Sequence, residues 1–244
     1  MPNDRPRALR TAGGDVPLAE YRLRLAGREW TVMHTGAVLT PLDEQRLLGE
    51  SREHLPYGVA LWPAAIALAH DVADRGDAFR GRRVLELGAG TGLPGLVAAS
   101  FGARVVQTDR HELALAVCEQ NGERNRAQRG AGAVAYRLAD WGAWDDAERY
   151  DWILGADILY GEAAHLHLRR IFAANLAPGG RVLLADPFRR ASLLLLEAMA
   201  ADGWAVALTT WRVAEEGGDV EAPDWPPRPL GIYELTPPAG ERAG

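Results

Sequence analysis

Apolar and polar residues alternate in two short runs near the start of the chain. The apolar positions fall at every second residue from Tyr21 to Leu25 and again from Trp30 to Val32. This period is typical of β-strands with one buried face, and the intervening Ala26-Gly27 pair is typical of a tight turn. The pattern predicts a β-hairpin over Tyr21–His34.

From about Pro63 onward, short apolar runs alternate with amphipathic stretches, as strands alternate with helices. The predicted strands are Arg83–Leu87, Arg104–Thr108, Ala133–Leu138, Asp151–Ala156, Arg181–Ala185, Ala205–Trp211 and Leu230–Leu235. The predicted helices are Pro63–Arg75, Leu93–Phe101, Leu113–Arg126, Ala163–Leu176 and Ser192–Ala201. This alternation is typical of a parallel sheet covered on both faces. No helix separates the last two strands, so we expect them to form an antiparallel hairpin at the sheet edge.

The predicted fold is therefore α/β: a Rossmann-like, doubly wound, seven-stranded sheet with an antiparallel last strand and an N-terminal β-hairpin extension. Residues 1–17 are rich in Pro, Gly, Arg and Asp without any period, so we expect a flexible tail. Residues 18–56 form the hairpin extension in this division. Residues 57–238 form the main domain.

Composition narrows the class of protein. The 244 residues are 48% hydrophobic and 25% charged, and the net charge of −6 argues against a nucleic-acid partner. All 27 basic residues are arginine, which excludes a mechanism built on an internal lysine. The single cysteine, Cys118, excludes an internal disulfide and fits a cytoplasmic location. The longest apolar run, Val59–Ala69, is too short to span a membrane, and the first residues lack the apolar stretch of a signal peptide.

A glycine-rich turn follows the first strand of the main domain. Gly88, Gly90 and Gly92 stand at alternate positions, where the absence of Cβ lets the backbone bend and a ligand approach. The next strand ends about twenty residues later in Asp109, a position suited to accept both hydroxyls of a ribose. Ligands of doubly wound sheets bind at this carboxyl end of the strands.

The segment from Gly90 to Gly95 also matches the G-x-G-x-x-G fingerprint of dinucleotide-binding proteins. The match begins two residues late relative to the strand, because Gly88 is already the first turn residue. The following helix also starts near Pro94, which leaves few free N–H groups for a pyrophosphate. Both observations disfavour a nicotinamide cofactor.

Val84–Gly92 resembles the first motif of the class I, seven-β-strand S-adenosylmethionine-dependent methyltransferases. The resemblance implies S-adenosyl-L-methionine as the cofactor, Glu86 as the acid that orients the loop, and Asp109 as the ribose-binding acid. It also implies that the loop glycines accommodate the methionine portion. The complete set of cofactor-binding residues expected is Trp62, Glu86, Gly88, Ala89, Gly90, Gly92, Asp109, Asp140, Trp141 and Ala156.

Three further segments, Leu61–Pro63, Ala139–Gly142 and Leu154–Tyr160, resemble the branch of this family that contains protein-lysine methyltransferases. The similarity extends over residues 57–186. Within it, Asp157 and Tyr160 match the branch's Asp-x-x-Tyr motif.

The expected adenine contacts have structural alternatives. Trp141 offers a flat apolar face and Asp140 a polar contact for an adenine ring, although Trp141 could instead only cap the sheet. Trp62 would cover the cofactor from the other side, or anchor the core between hairpin and sheet. Ala156 matches a small residue that lines the cofactor site in the family, but is otherwise an ordinary core alanine.

Asp157 and Tyr160 are the expected catalytic residues. The Asp157 carboxylate would attract and align an amine substrate, and Tyr160 would supply an aromatic wall for a cation–π contact. In the structural alternative, Asp157 caps the next helix and Tyr160 packs on it. Further along, Arg189 would suit a carboxylate-bearing small molecule or be a surface arginine. Its segment, from Asp186, resembles bacterial relatives described as nicotinamide-N-methyltransferase-like.

The predicted function is an S-adenosylmethionine-dependent N-methyltransferase that acts on a protein lysine side chain. The alternatives are a small-molecule amine or heterocycle as acceptor, and a non-catalytic cofactor-binding module. The acidic run Glu215–Asp224 could attract a basic protein segment or be a solvated loop. His165 and His167 are expected on different helix faces, so no metal site is predicted. We expect no nucleic-acid or membrane partner, and the oligomeric state stays open, a monomer included.

Overall fold

A computed structural model describes residues 8–11, 14–36, 57–128, 130–211 and 229–238. Its strands are β1 (Ala8–Thr11), β2 (Gly14–Pro17), β3 (Ala19–Leu25), β4 (Arg28–His34), β5 (Arg83–Leu87), β6 (Arg104–Asp109), β7 (Ala133–Leu138), β8 (Tyr150–Ala156), β9 (Leu176–Asp186), β10 (Ala205–Trp211) and β11 (Leu230–Thr236). Its α-helices are α1 (Pro63–Arg75), α2 (Leu93–Ser100), α3 (Glu112–Arg124), α4 (Glu162–Asn175) and α5 (Arg190–Ala201). Short 3-10 helices lie at Tyr57–Val59, Gly76–Phe79, Arg126–Gln128 and Trp141–Ala143.

The main sheet has seven strands in the order β10-β11-β9-β8-β5-β6-β7. β11 runs antiparallel to both of its neighbours, and the other pairs are parallel. The predicted doubly wound sheet with an antiparallel last strand is thereby confirmed. β10 forms one edge of the sheet and β7 the other, and β11 lies inside the sheet between β9 and β10. Burial explains this order, since Ile232, Tyr233 and Leu235 of β11 are at most 3% exposed while Leu208 of β10 is 52% exposed.

Helices cover both faces of the sheet. α1 and α2 share one core with the hairpin β3–β4, and α4 and α5 share the other core with the opposite sides of the central strands. The central strands β5 and β8 are almost wholly buried, which explains their continuous apolar sequence. All parallel strands end at the same edge, where the glycine turn begins.

The predicted hairpin is confirmed as β3 paired with β4. Leu25 pairs with Arg28 across a two-residue turn in which Ala26 (φ 50°) and Gly27 (φ 71°) are both left-handed. This geometry matches the right-handed twist of the strands. Trp30 is 1% exposed and belongs to the core that α1 builds, so the hairpin is part of the main domain's packing.

Asn121 of α3 and Asn125, the C-cap residue that follows this helix, attach the hairpin to the main domain, and we call them the amide pair. Asn121 donates to the Met33 carbonyl (3.1 Å) and accepts the Met33 N–H (2.7 Å). Asn125 makes the same two bonds to Thr31, at 2.8 Å and 3.0 Å. The outer edge of β4 is therefore paired as if by another strand.

Three expectations need correction or lie outside the described residues. The segment 1–17 was expected to be a flexible tail, but β1 and β2 pair within it, Ala8 opposite Pro17. Backbone hydrogen bonds hold these two strands together, so the pairing does not require apolar residues at every second position.

β9 begins earlier than the predicted Arg181, because a register shift between Tyr150 and Trp152 of β8 accommodates the extra residues. The acidic run Glu215–Asp224 and residues 37–56 lie outside the described residues, and the remaining domain bounds stay predictions.

Within the described ranges, no helix is both long and apolar enough to cross a membrane. The same ranges contain no group of three or more His, Cys, Asp or Glu side chains arranged to hold a metal ion. The cytoplasmic location stays a prediction.

Candidate active site

The glycine loop connects β5 to α2 at the carboxyl edge of the sheet. Gly88, Gly90 and Gly92 have φ values of 60°, 56° and 77°, a region that residues with a Cβ rarely adopt. A Cβ on Gly88 would lie 2.9 Å from Ile158, and one on Gly90 would lie 3.0 Å from the Gly58 carbonyl. The Ala89 N–H holds the loop to the sheet by donating to the Thr108 carbonyl (2.9 Å). The left-handed backbone and these close approaches to neighbouring protein atoms require glycine at Gly88 and Gly90.

Glu86 lies underneath this loop and is 2% exposed. Its Oε2 accepts from Gln107 Nε2 (2.6 Å) and from the Gly95 N–H (3.1 Å). Gln107 Nε2 also donates to the Gly92 carbonyl (2.6 Å), which ties the loop to the acid. Burial outweighs these donors and raises the pKa of Glu86 to about 7. The contacts are those of a residue that shapes the loop from below.

Asp109 ends β6 beside the loop. Its Oδ2 accepts the Gly90 N–H (3.2 Å) and its Oδ1 accepts the His111 N–H (3.0 Å). Burial raises the pKa of this carboxyl, against the effect of its backbone donors. Each carboxylate oxygen has a further lone pair, so Asp109 keeps acceptor capacity for ligand hydroxyls. Gly58 covers it, since a Cβ there would lie 3.9 Å from Asp109 Oδ1.

Asp140 and Trp141 follow β7, on the far side of the loop from β8. The Asp140 side chain accepts the Gly142 N–H (2.7 Å) and so caps the short 3-10 helix at Trp141–Ala143. The Trp141 ring lies 3.3 Å from the position of a Cβ on Gly88, and it also packs on the core of α4 and α5. Trp141 thus contacts both the loop and the sheet covering, and the two interpretations of this residue are compatible.

Trp62 and Ala156 approach the site from two other elements. Trp62 is half-buried at the N-cap of α1, and its carbonyl accepts the Ala65 N–H (3.0 Å). Ala156 is the last residue of β8 and packs partly on the hairpin core. Their roles toward a cofactor stay predictions.

Asp157 follows β8 in a left-handed conformation (φ 58°), and its N–H donates to the Ala185 carbonyl of β9 (2.8 Å). Its carboxylate pairs with Arg189, whose Nη1 donates to Oδ1 and whose Nη2 lies 3.3 Å from Oδ2. The same guanidinium reaches Asp186 Oδ2 (3.4 Å). Arg189 is therefore not the surface arginine considered from the sequence, because β8 and β9 end side by side and bring the charges together.

Tyr160 stands at the rim, 63% exposed. It does not pack into the core, and its role toward a substrate stays a prediction. Asp157 is not the N-cap of α4, because Gly161 occupies that position. His165 and His167 are half-buried on α4, rather than fully solvated.

These features can be compared with known proteins. A family model described as lysine methyltransferase matches residues 42–192. The chain belongs to the lysine methyltransferase family. Protein N-lysine methyltransferase METTL21A of Xenopus tropicalis is 35% identical over 138 residues, covering 56% of this chain and 64% of the relative. Histone-arginine methyltransferase METTL23 of Xenopus laevis is 34% identical over 124 residues, covering 48% and 52%.

The match therefore spans less than two-thirds of the length of either relative. Among solved structures, the T. thermophilus 16S rRNA methyltransferase RsmC, in complex with AdoMet and guanosine, has a TM-score of 0.56 at 23% identity. That similarity covers 90% of this chain and 50% of RsmC. The expected class I methyltransferase fold and the cofactor, S-adenosyl-L-methionine, are confirmed.

The site of this methyltransferase fits its cofactor. The bare glycine backbone leaves room for the methionine portion, and Asp109 retains free acceptor capacity. Asp140 adds a negative charge beside the loop, which suits a cofactor with a sulfonium cation. When bound, S-adenosyl-L-methionine supplies an electrophilic methyl group.

Sequence reasoning missed several residues that shape the methyltransferase site. Cys118 donates to the Gly90 carbonyl (3.1 Å), and burial raises the pKa of its thiol well above its usual range. Asn121 of the amide pair also donates to the Thr91 carbonyl (2.8 Å). Gln107 and Gly58 contact the loop from below and above. Their partners lie far away in sequence, so no local pattern could have identified them.

Proposed function

We propose that this methyltransferase transfers a methyl group from S-adenosyl-L-methionine to the side-chain amine of a lysine in a protein. The observation that carries the proposal is the acidic pair Asp157 and Asp186 at the ends of β8 and β9. Even with Arg189 between them, the three side chains sum to one negative charge. Such a cluster attracts a cation and disfavours a carboxylate-bearing small molecule.

In the proposal, the loop residues Gly88, Ala89, Gly90 and Gly92 receive the methionine portion of the cofactor, shaped from below by Glu86. Asp109 accepts the ribose hydroxyls. Asp140 and Trp141 contact the adenine, and Trp62 and Ala156 complete the enclosure.

Asp157 anchors the acceptor amine and Tyr160 forms the open wall beside it. A lysine amine has a pKa of about 10.4, so it arrives as an ammonium ion and binds to the Asp157 carboxylate. Attack requires the neutral amine, and removing its proton costs about 1.36 kcal/mol per pH unit below that pKa. The positive charge of a bound cofactor would lower the amine pKa and the ammonium proton would pass to solvent, while Asp157 keeps the nitrogen aligned.

An arginine acceptor is the second candidate. The guanidinium of Arg189 already lies on Asp157, so the site accommodates this group in a hydrogen-bonded arrangement. The similarity to METTL23, named as a histone-arginine methyltransferase, agrees with this alternative.

The test is transfer of tritium from labelled S-adenosyl-L-methionine into a protein extract of the source cell. We expect discrete labelled protein bands with the wild type and a loss of at least 100-fold with Asp157→Asn, because the anchor for the amine is removed (about 2.7 kcal/mol). Cofactor affinity, measured by calorimetry, should stay within about threefold of the wild type.

Asp145→Asn is the matched control, since it removes a carboxylate that is 82% exposed. Equal labelling by Asp157→Asn and the wild type would contradict the role of Asp157. Label found only in small molecules would favour a small-molecule acceptor. Cofactor binding without any transfer would favour a non-catalytic module.

A further inference from the structure

We propose that Arg189 is a specificity-determining residue whose guanidinium occupies the acceptor's cation position on Asp157 in the free enzyme. This inference rests on the proposed function, in which Asp157 anchors the acceptor amine. The incoming ammonium ion takes the place of the guanidinium on Asp157, and Arg189 withdraws onto Asp186.

The first support is the burial of the two acids. The side chains of Asp157 and Asp186 are 8% and 0% exposed, and that of Arg189 is 26% exposed. Two buried carboxylates so close together need a compensating cation. Arg189 supplies it from the solvent side, so an acceptor reaching Asp157 meets this guanidinium first.

The second support is that Asp186 offers Arg189 a second carboxylate partner. Its Nη1 lies 3.4 Å from Asp186 Oδ2, and its backbone N–H donates to Asp186 Oδ1 (2.8 Å). Near Asp186, the hydroxyl of Tyr233 is buried without a hydrogen-bond partner. Burial, and then the Asp186 charge, raise the pKa of Tyr233 to about 12. A guanidinium that leaves Asp157 therefore still has the Asp186 carboxylate beside it.

The third support is the backbone that presents these groups. Asp157 and Phe188 are left-handed, with φ values of 58° and 61°, and a bulky aromatic residue rarely adopts this region. Phe188 packs edge-on against Tyr233, with ring centroids 6.2 Å apart. Strained positions of this kind concentrate at functional sites. Here the left-handed backbone at Asp157 and Phe188 brings the Asp157 carboxylate and the Arg189 guanidinium together.

The test uses n-butylammonium, which has the chemistry of a lysine side chain, and measures its binding by calorimetry to the full chain. We expect Arg189→Met to bind this cation at least tenfold more tightly than the wild type, because the Arg189 guanidinium then no longer competes for Asp157. Arg189→Lys, which keeps the charge, should bind it like the wild type. Asp157→Asn combined with Arg189→Met should lose the gain.

Unchanged or weaker binding by Arg189→Met, with unchanged thermal stability and cofactor affinity, would overturn the inference and leave Arg189 a structural clamp. If Arg189→Met is less stable, Arg189→Gln provides the same comparison with a polar side chain. This experiment needs no methyl transfer. A gain in cation binding without any labelled protein would therefore contradict the proposed function alone, and labelled protein without the gain would contradict the displacement of Arg189 alone.

Discussion

At the residue scale, Glu86 shows how burial sets the properties of the loop. Its pKa rises from 4.5 to about 7, so the folded protein keeps a proton that the unfolded chain releases between these values. The free energy of unfolding therefore falls as the pH rises through this window, and above it the ionisation of Glu86 no longer makes stability change with pH. The contribution amounts to about 3 kcal/mol.

Glu86→Gln removes this contribution, because its side chain stays neutral. Relative to the wild type, we expect the variant to gain about 3 kcal/mol in the free energy of unfolding between about pH 4 and about pH 8. Urea unfolding at intervals across this range measures the difference. Glu123→Gln, which changes an exposed acid, is the control. Parallel stability curves for Glu86→Gln and the wild type would mean that Glu86 is ionised in the folded protein.

At the element scale, the amide pair joins the N-terminal hairpin to the cofactor loop. Asn121 is fully buried and Asn125 is 3% exposed, and each holds one residue of β4 through both its N–H and its carbonyl. Only Asn121 also bonds to the loop, at Thr91. The two asparagines are therefore matched in their contact with the hairpin and differ in their contact with the site.

We expect Asn121→Ala and Asn125→Ala each to lower the free energy of unfolding by about 2–4 kcal/mol, because buried backbone groups of β4 lose their partners. Only Asn121→Ala should also weaken cofactor binding, by about tenfold, since the loop loses its support at Thr91. Urea unfolding and calorimetry with S-adenosyl-L-methionine measure the two effects. Equal cofactor affinity in the two variants would mean that the hairpin only stabilises the fold.

Local patterns at this scale predicted strand and helix positions well, but the buried face of α3 less well. The sequence favours a face through Leu113, Ala116, Val117 and Gln120. The buried positions are Ala114, Val117, Cys118, Asn121 and Gly122, so only Val117 was correctly predicted. A pattern of apolar positions does not identify a buried asparagine. Its burial depends on the edge of β4, about ninety residues away in sequence, whose free backbone groups need amide partners.

At the scale of the whole molecule, the alternation of strands and helices was sufficient to predict the sheet and the place of the glycine loop at its carboxyl edge. The pairing of Asp157 with Arg189 was not predictable, although both residues were placed at strand ends. It depends on β8 and β9 being neighbours and on the left-handed turn at Phe188. Aromatic residues normally avoid the left-handed conformation, so no sequence pattern indicates that Phe188 adopts it.

The absence of lysine from the whole chain has an experimental consequence at the same scale. The protein has no lysine side chain that could be methylated, so the purified protein itself contributes no methyl-lysine to an assay. We expect incubation with labelled S-adenosyl-L-methionine alone to yield no methyl-lysine after acid hydrolysis. Methyl-lysine in that control would have to come from another protein in the preparation.

The most direct test of the central claim is the chemical identity of the labelled residue in the extract proteins. After transfer from tritiated S-adenosyl-L-methionine, the labelled bands are hydrolysed and their amino acids are separated against methyl-lysine and methyl-arginine standards. The account predicts tritium in methyl-lysine, present with the wild type and lost with Asp157→Asn. Tritium in methyl-arginine, or in no protein residue at all, would contradict a protein-lysine methyltransferase.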